Sequence, residues 1–414
     1  MHPAAHTFTD AAAARVRELA PAIPSFAKAR RTSLQALEDG AIPTGRLETW
    51  KYTSIEPFFT APFGAAEVAS DTVDTATVDR FFAFDAAVPI LFRGAQPHLL
   101  GIPIRRGVHL TALRDLADPV ATRLNEGIDF DRYPLAHVNT ALLEAGLLIT
   151  LDAGIDAGCL DLRFVSGSTA ANVSRVRIEV AAGSRVRLIE QHAEDAPANC
   201  VVEIMLARDA ACEHVRISRR STQPSWNLVS VHVAEAANYS LAGYAMGGTP
   251  SRNDVHIHLD GAYARTEVNL ACGNVGRDRL DSQIVVEHIG TDTVSRQTYH
   301  GIAAGGSELT FNGRIHIHAG AQRSDARLTN KNLLADRKAR INTKPELEIH
   351  ANDVKCSHGA TVGQLDPVQL FYLRSRGFDE SAARAMLLRA FLASRLTDAA
   401  HDVGVEAIFA EVFA

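Results

Sequence analysis

From about Leu147 to Gln364 the chain alternates apolar and polar residues in short runs. VRIEV, VRLIE, VVEIML, VRIS, LVSVHV, VHIHL, TEVNL, QIVVEH, RIHIH and ELEIH follow one another in this stretch. Period-two alternation puts the apolar side chains of each run on one face, which predicts β-strands with a buried side. Small-residue corners separate the runs, at Gly183, Asp209, Asn238, Gly261, Gly320 and Asn352, with Gly305 and Gly306 in the longest gap. Their spacing is mostly roughly 25 to 30 residues, which is that of a solenoid repeat. A single unit of this kind cannot bury its apolar face, so units stack and the core runs along an axis. The corners lack Asn-Gly hairpin turns, which favours coils over meanders and predicts a parallel β-helix. A β-sandwich is the alternative, because even strand spacing also fits one.

The two ends read differently. Asp10 is positioned to cap AAAARVREL, which Pro21 stops, and Ser25 to cap a second helix through Leu37, with Gly40 just beyond it. An irregular stretch from Pro43 to Phe58 follows, in which Trp50 and Tyr52 are expected to anchor the loop to its own domain. Short strands are expected at VPILFRG and HLLGIPI, then a helix around Leu110 to Asn125. After Gln364, Asp366 and Pro367 form an N-cap and first helical position. Gly377 ends that helix and Asp379 caps the next, where Ala383, Met386, Leu387, Ala390 and Phe391 form an apolar stripe suited to core or partner. A short amphipathic piece, VEAIFAEVF, closes the chain. The expected organisation is a mostly helical region over 1–130, a β-helix core over 131–365 and a helical region over 366–414.

Composition narrows the function. A net charge of −6 and the lack of any basic run argue against nucleic-acid binding. Five widely spaced cysteines are no disulfide framework and fit a reducing cytoplasm. The N-terminus lacks the pattern of a signal peptide, and no apolar window is long enough for a membrane span.

The candidate chemistry centres on TKPELEIHANDVKCSHGATVGQ, from Thr343 to Gln364. On a strand, Cys356 and His358 share one face while Lys355 and Ser357 look the other way. Sulfur with imidazole suits iron, zinc or copper(I), but two ligands make half a tetrahedral site. The pair therefore borrows ligands from another chain, or is a buried thiol beside a satisfied histidine. His256 with His258, and His316 with His318, are further same-face pairs that stacked coils would align into a ladder. Outer-face histidines are ordinarily solvated, and no metal is assigned to them. Asp281, Glu287 and Asp292 are the carboxylates available for polysaccharide chemistry, with no spacing that singles them out. GxxxxGK[ST], GxSxG and HExxH are all absent.

The run from Phe311 to Asp366, with TNKNLL, TKPELEI and DVKCSHGAT inside it, closely resembles the SufB/SufD family of iron–sulfur cluster assembly proteins. ETWKYT (Glu48 to Thr53) and FYLRSRGFDESAARAMLLRAF look like the SufD branch of that family. The short chain, with cysteines outside any sulfur-handling motif, points the same way; a SufB-like, sulfur-accepting scaffold is the alternative. The resemblance implies a right-handed parallel β-helix between helical ends, acting as a non-catalytic scaffold. It implies pairing with SufB through the β-helix and binding of SufC, an ABC-type ATPase, through the C-terminal helices. ATP-driven dimerisation of SufC would then distort the SufB–SufD interface and expose the assembly site. On the same analogy His358, and less firmly Cys356, would help hold iron or a transient iron–sulfur cluster at that interface, with the remaining ligands, including a cysteine and an acidic residue, from SufB. The isolated chain would carry no cofactor and could pair with itself through the same sheet edge. Leu370, Phe371, Leu373, Arg374, Leu387 and Phe391 map onto the SufC contact. His318 departs from the family pattern and is not counted as a ligand. A carbohydrate-active β-helix enzyme is the remote competitor, and would need clustered carboxylates.

Overall fold

A tight corner recurs through the β-rich part of the chain, and its backbone explains the repeat. Gly154, Gly183, Asp209, Ala236, Tyr263, Asp292 and Arg323 all have φ between 55° and 71°. Five of these seven carry side chains in a conformation that costs about 1–2 kcal/mol per residue. Inter-coil hydrogen bonds offset that strain. The N–H of Asp209 donates to Glu235 at 3.0 Å, that of Ala236 to Ala262 at 2.9 Å and that of Tyr263 to Thr291 at 3.0 Å. Gly183 and Asp209 were legible as corners, whereas Asn238 and Gly261 lie two residues from the true turning points.

The computed structural model describes residues 3–19, 26–45, 47–60, 75–101, 103–116, 123–167, 171–248 and 250–413. Its strands are β1 (Ala87–Arg93), β2 (Gln96–Leu99), β3 (Val108–Ala112), β4 (Leu147–Leu151), β5 (Asp156–Val165) and β6 (Asn172–Val180). They continue as β7 (Arg185–His192), β8 (Ala198–Leu206), β9 (Ala211–Ser218), β10 (Ser225–Val233), β11 (Asn238–Met246) and β12 (Ser251–Leu259). The series ends with β13 (Arg265–Asn274), β14 (Arg279–His288), β15 (Val294–Ala303), β16 (Glu308–Ile317), β17 (Asp325–Leu334), β18 (Arg340–Ile349) and β19 (Lys355–Gly363). From β4 onward each strand pairs in parallel with the strand two places on, giving two sheets and about seven coils. That pairing is a β-solenoid and excludes an antiparallel sandwich. At the early end β2 and β3 pair antiparallel with β1 and β4.

Register stacks the inward residues in columns. Val231, Ile257, Val286, Ile315 and Leu347 are successive partners across β10 to β18. The first four are 0% exposed, each contributing about 1.5–3 kcal/mol by burial. Leu347, on the last coil, is 37% exposed because no further coil covers it.

The terminal segments cover the outer faces. Helices α1 (Pro3–Leu19), α2 (Ala27–Glu38) and α3 (Leu135–Leu142) pack Phe8, Leu37 and Leu142 with Val201, Trp226 and Leu228 of the even-numbered sheet. At the other end α4 (Pro367–Ser375), α5 (Glu380–Ala393) and α6 (Ala407–Val412) follow the last strand. From α5 and α6, Leu388, Leu392 and Phe409 pack with Ile217, Tyr244 and Ile302 of the odd-numbered sheet.

Several local expectations are corrected. Helix α1 begins at Pro3, so Asp10 is an exposed mid-helix residue, and α2 follows Phe26 without a side-chain cap; Pro21 and Ser25 lie outside the described residues. The stretch from Leu110 is β3 and a single 3-10 turn (Leu113–Asp115), because β3 finds a partner in β4; residues 117–122 lie outside the described ones. Helix α3 carried no period strong enough to predict. Asp366 and Asp379 do cap α4 and α5, accepting from Val368 and Ala382 N–H. The stripe on α5 is displaced, however. Ala383, Ala385, Leu388 and Leu392 are buried, whereas Met386 and Ala390 are exposed and Leu387 and Phe391 half-buried. This helix is apolar on more than one side, and packing selects a face that spacing alone leaves open.

The ETWKYT stretch does anchor onto the solenoid, through Trp50 and not through Tyr52, which is exposed. The Trp50 ring lies 4.0 Å from the buried guanidinium of Arg252. Arg252 Nη1 donates to the Thr49 carbonyl at 2.6 Å, and its head pairs with Asp254 and Asp281, both at 2.9 Å. Thr53 Oγ1 donates to Asp281 at 2.5 Å, and Trp226 Nε1 to Asp254 at 2.7 Å. Burial pushes the Asp281 carboxyl up, against the pull of Arg252. Arg252→Ala therefore leaves two buried carboxylates without their cation and should cost about 3–5 kcal/mol, read from urea unfolding.

His288 supplies a pH dependence. It is fully buried, with Nδ1 2.7 Å from Thr293 Oγ1 and Nε2 2.9 Å from Ser295 Oγ. Burial lowers its pKa to about 4, Arg296 adding to the shift and Asp325 opposing it. In the unfolded chain it titrates near 6.5, about the ordinary value. Between those values the unfolded state binds more protons, so this contribution is complete above the unfolded pKa and is lost as pH falls toward 4. Urea midpoints should fall as the buffer goes from pH 7 to pH 5. In His288→Gln that dependence should be shallower, by at most about 1 kcal/mol per pH unit.

Candidate metal and partner interface

The last coil owes its chemistry to being last. β18 and β19 are the edge strands of their sheets, each hydrogen-bonded on one side only. Cys356 pairs in register with Ala326 and His358 with Leu328, and both partners are buried core residues. Cys356 and His358 therefore lie on the inward side of β19, above the end of the core, while Lys355 and Ser357 face outward. Cys356 is half-buried against the core, and His358 is exposed. Burial pushes the Cys356 thiol pKa up, with Asp325 adding to the effect. The same coil exposes Leu347, Ile349 and Val362. A thiol, an imidazole and apolar neighbours thus stand together on an open edge, offering two ligands of a metal site and none of the rest.

The C-terminal helices present a second open surface. No residue of α4 is buried. Phe371 is 72% exposed and Arg374 is exposed, paired with Glu380 at 3.5 Å, whereas Leu370 and Leu373 are half-buried. Leu387 is half-buried, and Phe391 stacks on the His300 ring at 4.5 Å, which ties it to β15. Val368, Tyr372 and Met386 are also exposed and widen the apolar patch. Alternation of apolar residues along α4 could not reveal them, since nothing in the sequence says which side stays bare.

The expected histidine ladder forms on the outer face of the even-numbered sheet. His232 and His258 stack with ring centres 4.2 Å apart, His256 and His258 lie 3.9 Å apart, and His316 and His318 4.0 Å apart. Glu287 sits among them, a role that its placement with Asp281 and Asp292 had hidden. Those three carboxylates do not converge. Asp281 belongs to the Arg252 cluster, Glu287 to the histidines, and Asp292 pairs with Arg323 at 2.6 Å.

A parallel β-solenoid with helices at both ends is the class of fold, and the sequence comparisons say to which family it belongs. Residues 163–391 match the family described as SUF system FeS cluster assembly, SufBD core domain, and the chain belongs to that family. It is 28% identical to the iron–sulfur cluster assembly protein SufD of Escherichia coli over 401 residues, covering 90% of this chain and 89% of that one. It is 27% identical to the chloroplastic protein ABCI7 of Arabidopsis thaliana, covering 86% and 81%. The corresponding protein SufD of Bacillus subtilis is 26% identical, covering 69% and 67%. Among the described residues no helix is long and apolar enough to cross a membrane.

Proposed function

We propose that this chain is a non-catalytic scaffold subunit of the SUF assembly machinery, and that its open last coil pairs with SufB to complete a shared site for iron or a nascent iron–sulfur cluster. The observation that carries this reading is the juxtaposition of Cys356 and His358 on an edge strand of a last coil whose Leu347, Ile349 and Val362 stay exposed among the described residues. An edge of this kind is a template for strand pairing, and a half-set of ligands is completed across it. The isolated chain can use the same edge to pair with a second copy.

The four other cysteines argue for a scaffold over a SufB-like sulfur acceptor. All are buried, and burial pushes the thiols of Cys159 and Cys212 up to about 12 and that of Cys272 to about 11. A sulfur acceptor needs an accessible thiolate. The exposed patch on α4, with Phe371 and Arg374 at its centre and Leu370, Leu373, Leu387 and Phe391 behind or beside it, is the proposed seat of the SufC ATPase. Its bare apolar area is what a docked partner would cover.

Two measurements test the reading. The co-expressed complex with SufB and SufC is purified anaerobically, and His358→Ala is compared with wild type by visible absorbance and iron content. The variant complex should assemble and carry little cluster; an unchanged cluster content would reduce the last coil to architecture. Phe371→Asp should abolish co-purification of SufC while leaving the melting temperature of the isolated chain within about 2 °C, because the ring touches no core.

A further inference from the structure

The outer face of the even-numbered sheet carries a row of potential ligands that includes neither Cys356 nor His358. His232, His258, Glu287, His316 and Glu348 are successive in-register partners across β10, β12, β14, β16 and β18. Outward-facing residues of stacked coils lie about 4.8 Å apart, so the row brings imidazoles and carboxylates into contact along the solenoid. Glu287 is the point where they converge. Its Oε2 is 2.9 Å from His318 Nε2 and 3.9 Å from His316 Nδ1, and the ligand atoms of these three residues all lie within 4.8 Å of one another. Its other oxygen, Oε1, is 3.1 Å from Nε2 of the buried His256.

The arrangement suits a cation better than it suits a set of ion pairs. Both oxygens of Glu287 lie within hydrogen-bond distance of an imidazole nitrogen, Oε1 of His256 and Oε2 of His318, and His258 and His316 flank it in register. Imidazole and carboxylate together are a donor set for transition-metal ions. Three ring nitrogens along the row, His232 Nε2, His256 Nδ1 and His258 Nε2, are buried without a hydrogen-bond partner. Of these, His256 belongs to the group that touches Glu287, and His232 and His258 continue the row. The supporting groups are also in place. His256 fixes one carboxylate oxygen, and Glu348 Oε1 lies 3.7 Å from the far nitrogen of His316 while holding His350 at 3.0 Å. Carboxylates behind a ligating histidine orient the ring and raise its basicity.

We propose that Glu287, His316 and His318 bind one divalent transition-metal ion of the series from Fe²⁺ to Zn²⁺, with His256 and Glu348 as positioning residues. Two imidazoles and one carboxylate form a donor set for such ions and disfavour magnesium and calcium, which prefer oxygen alone. Donors around an ion at about 2.1 Å lie about 3 to 3.5 Å apart. The His318–Glu287 pair, at 2.9 Å, is close to that separation, and His316 Nδ1 needs to approach Glu287 by less than about 1 Å. The His318 side chain is 40% exposed, so the ion has access from that side. All three ligands come from this chain, and the site is complete without SufB.

The test uses the full-length chain without a polyhistidine tag, stripped with chelator and titrated anaerobically with Co²⁺ by visible absorbance and with Zn²⁺ by calorimetry. Wild type should bind one equivalent. Glu287→Gln combined with His318→Ala should weaken binding about 10-fold or more, whereas Cys356→Ser combined with His358→Ala should bind as wild type does. Single His318→Ala, at an exposed position, repeats the test if the double variant melts early by circular dichroism. Absence of binding to wild type, affinity unchanged in both His318 variants, or loss of binding in the Cys356 and His358 variant would each overturn the proposal. The last outcome would move the metal to the terminal coil.

Discussion

In-register parallel stacking is the constraint from which the rest of this molecule follows. Each interior strand gives its backbone hydrogen bonds to the coil before and the coil after, and each inward side chain rests on its equivalents above and below. A stack of this kind cannot close on itself, so it has two ends. At the early end β2 and β3 run antiparallel to their neighbours, breaking the repeat. At the late end nothing interrupts it. Leu347 and Ile349 occupy core columns yet stand exposed, and β18 and β19 present unpaired backbone beside them. The asymmetry leaves the late end open, and that end carries Cys356 and His358.

The outer faces are held differently. Besides the apolar contacts of α1 to α3, the N-terminal segment meets the even-numbered sheet at buried charges of that sheet: Arg252, paired with Asp254 and Asp281, donates to the Thr49 carbonyl and lies under Trp50, and Asp281 accepts from Thr53. Buried pairs contribute little net stability, since desolvation cancels most of the attraction, but each accepts only one geometry. They fix where the covering segment sits. The C-terminal helices meet the odd-numbered sheet through apolar contacts, Leu388, Leu392 and Phe409 on Ile217, Tyr244 and Ile302. That contact holds α5 and α6 and leaves α4 projecting with no buried residue.

Much of this was legible in the sequence, for reasons that are physical. A strand's alternation is local, so the strands, their repeat and the shared face of Cys356 and His358 follow from spacing, whereas the choice of solenoid over sandwich is settled by the parallel pairing of alternate strands. The caps at Asp366 and Asp379 are local as well. What could not be read depends on contacts distant in sequence. Arg175, Arg252 and Asp281 sit at positions that alternation assigns to solvent, and only the covering segments bury them. β3 and α3 are settled by β4 and by the sheet against which they pack. On α5, apolar residues on several sides left the buried face undetermined. The histidine pairs were visible as pairs, but Glu287 gained its meaning from register, which brings His258 and His316 to its two sides.

Register also separates the two proposed metal places by kind. At the terminal coil a half-buried thiol, its pKa raised by burial, stands beside an exposed imidazole. Deprotonating that thiol costs free energy which a bound metal and additional ligands have to offset. Cys356 and His358 supply two donors there, so on the proposed function the cost is met when a second chain brings the rest. At Glu287 the donors are a carboxylate and two imidazoles, His316 and His318, all from this chain. No proton has to be removed from sulfur there, and no second chain has to supply a ligand. On these assignments the outer row takes up an ion in the isolated chain, while the terminal coil waits for its partner. The order of loading is thus set by donor type and ligand count, both of which follow from where each strand lies in the stack.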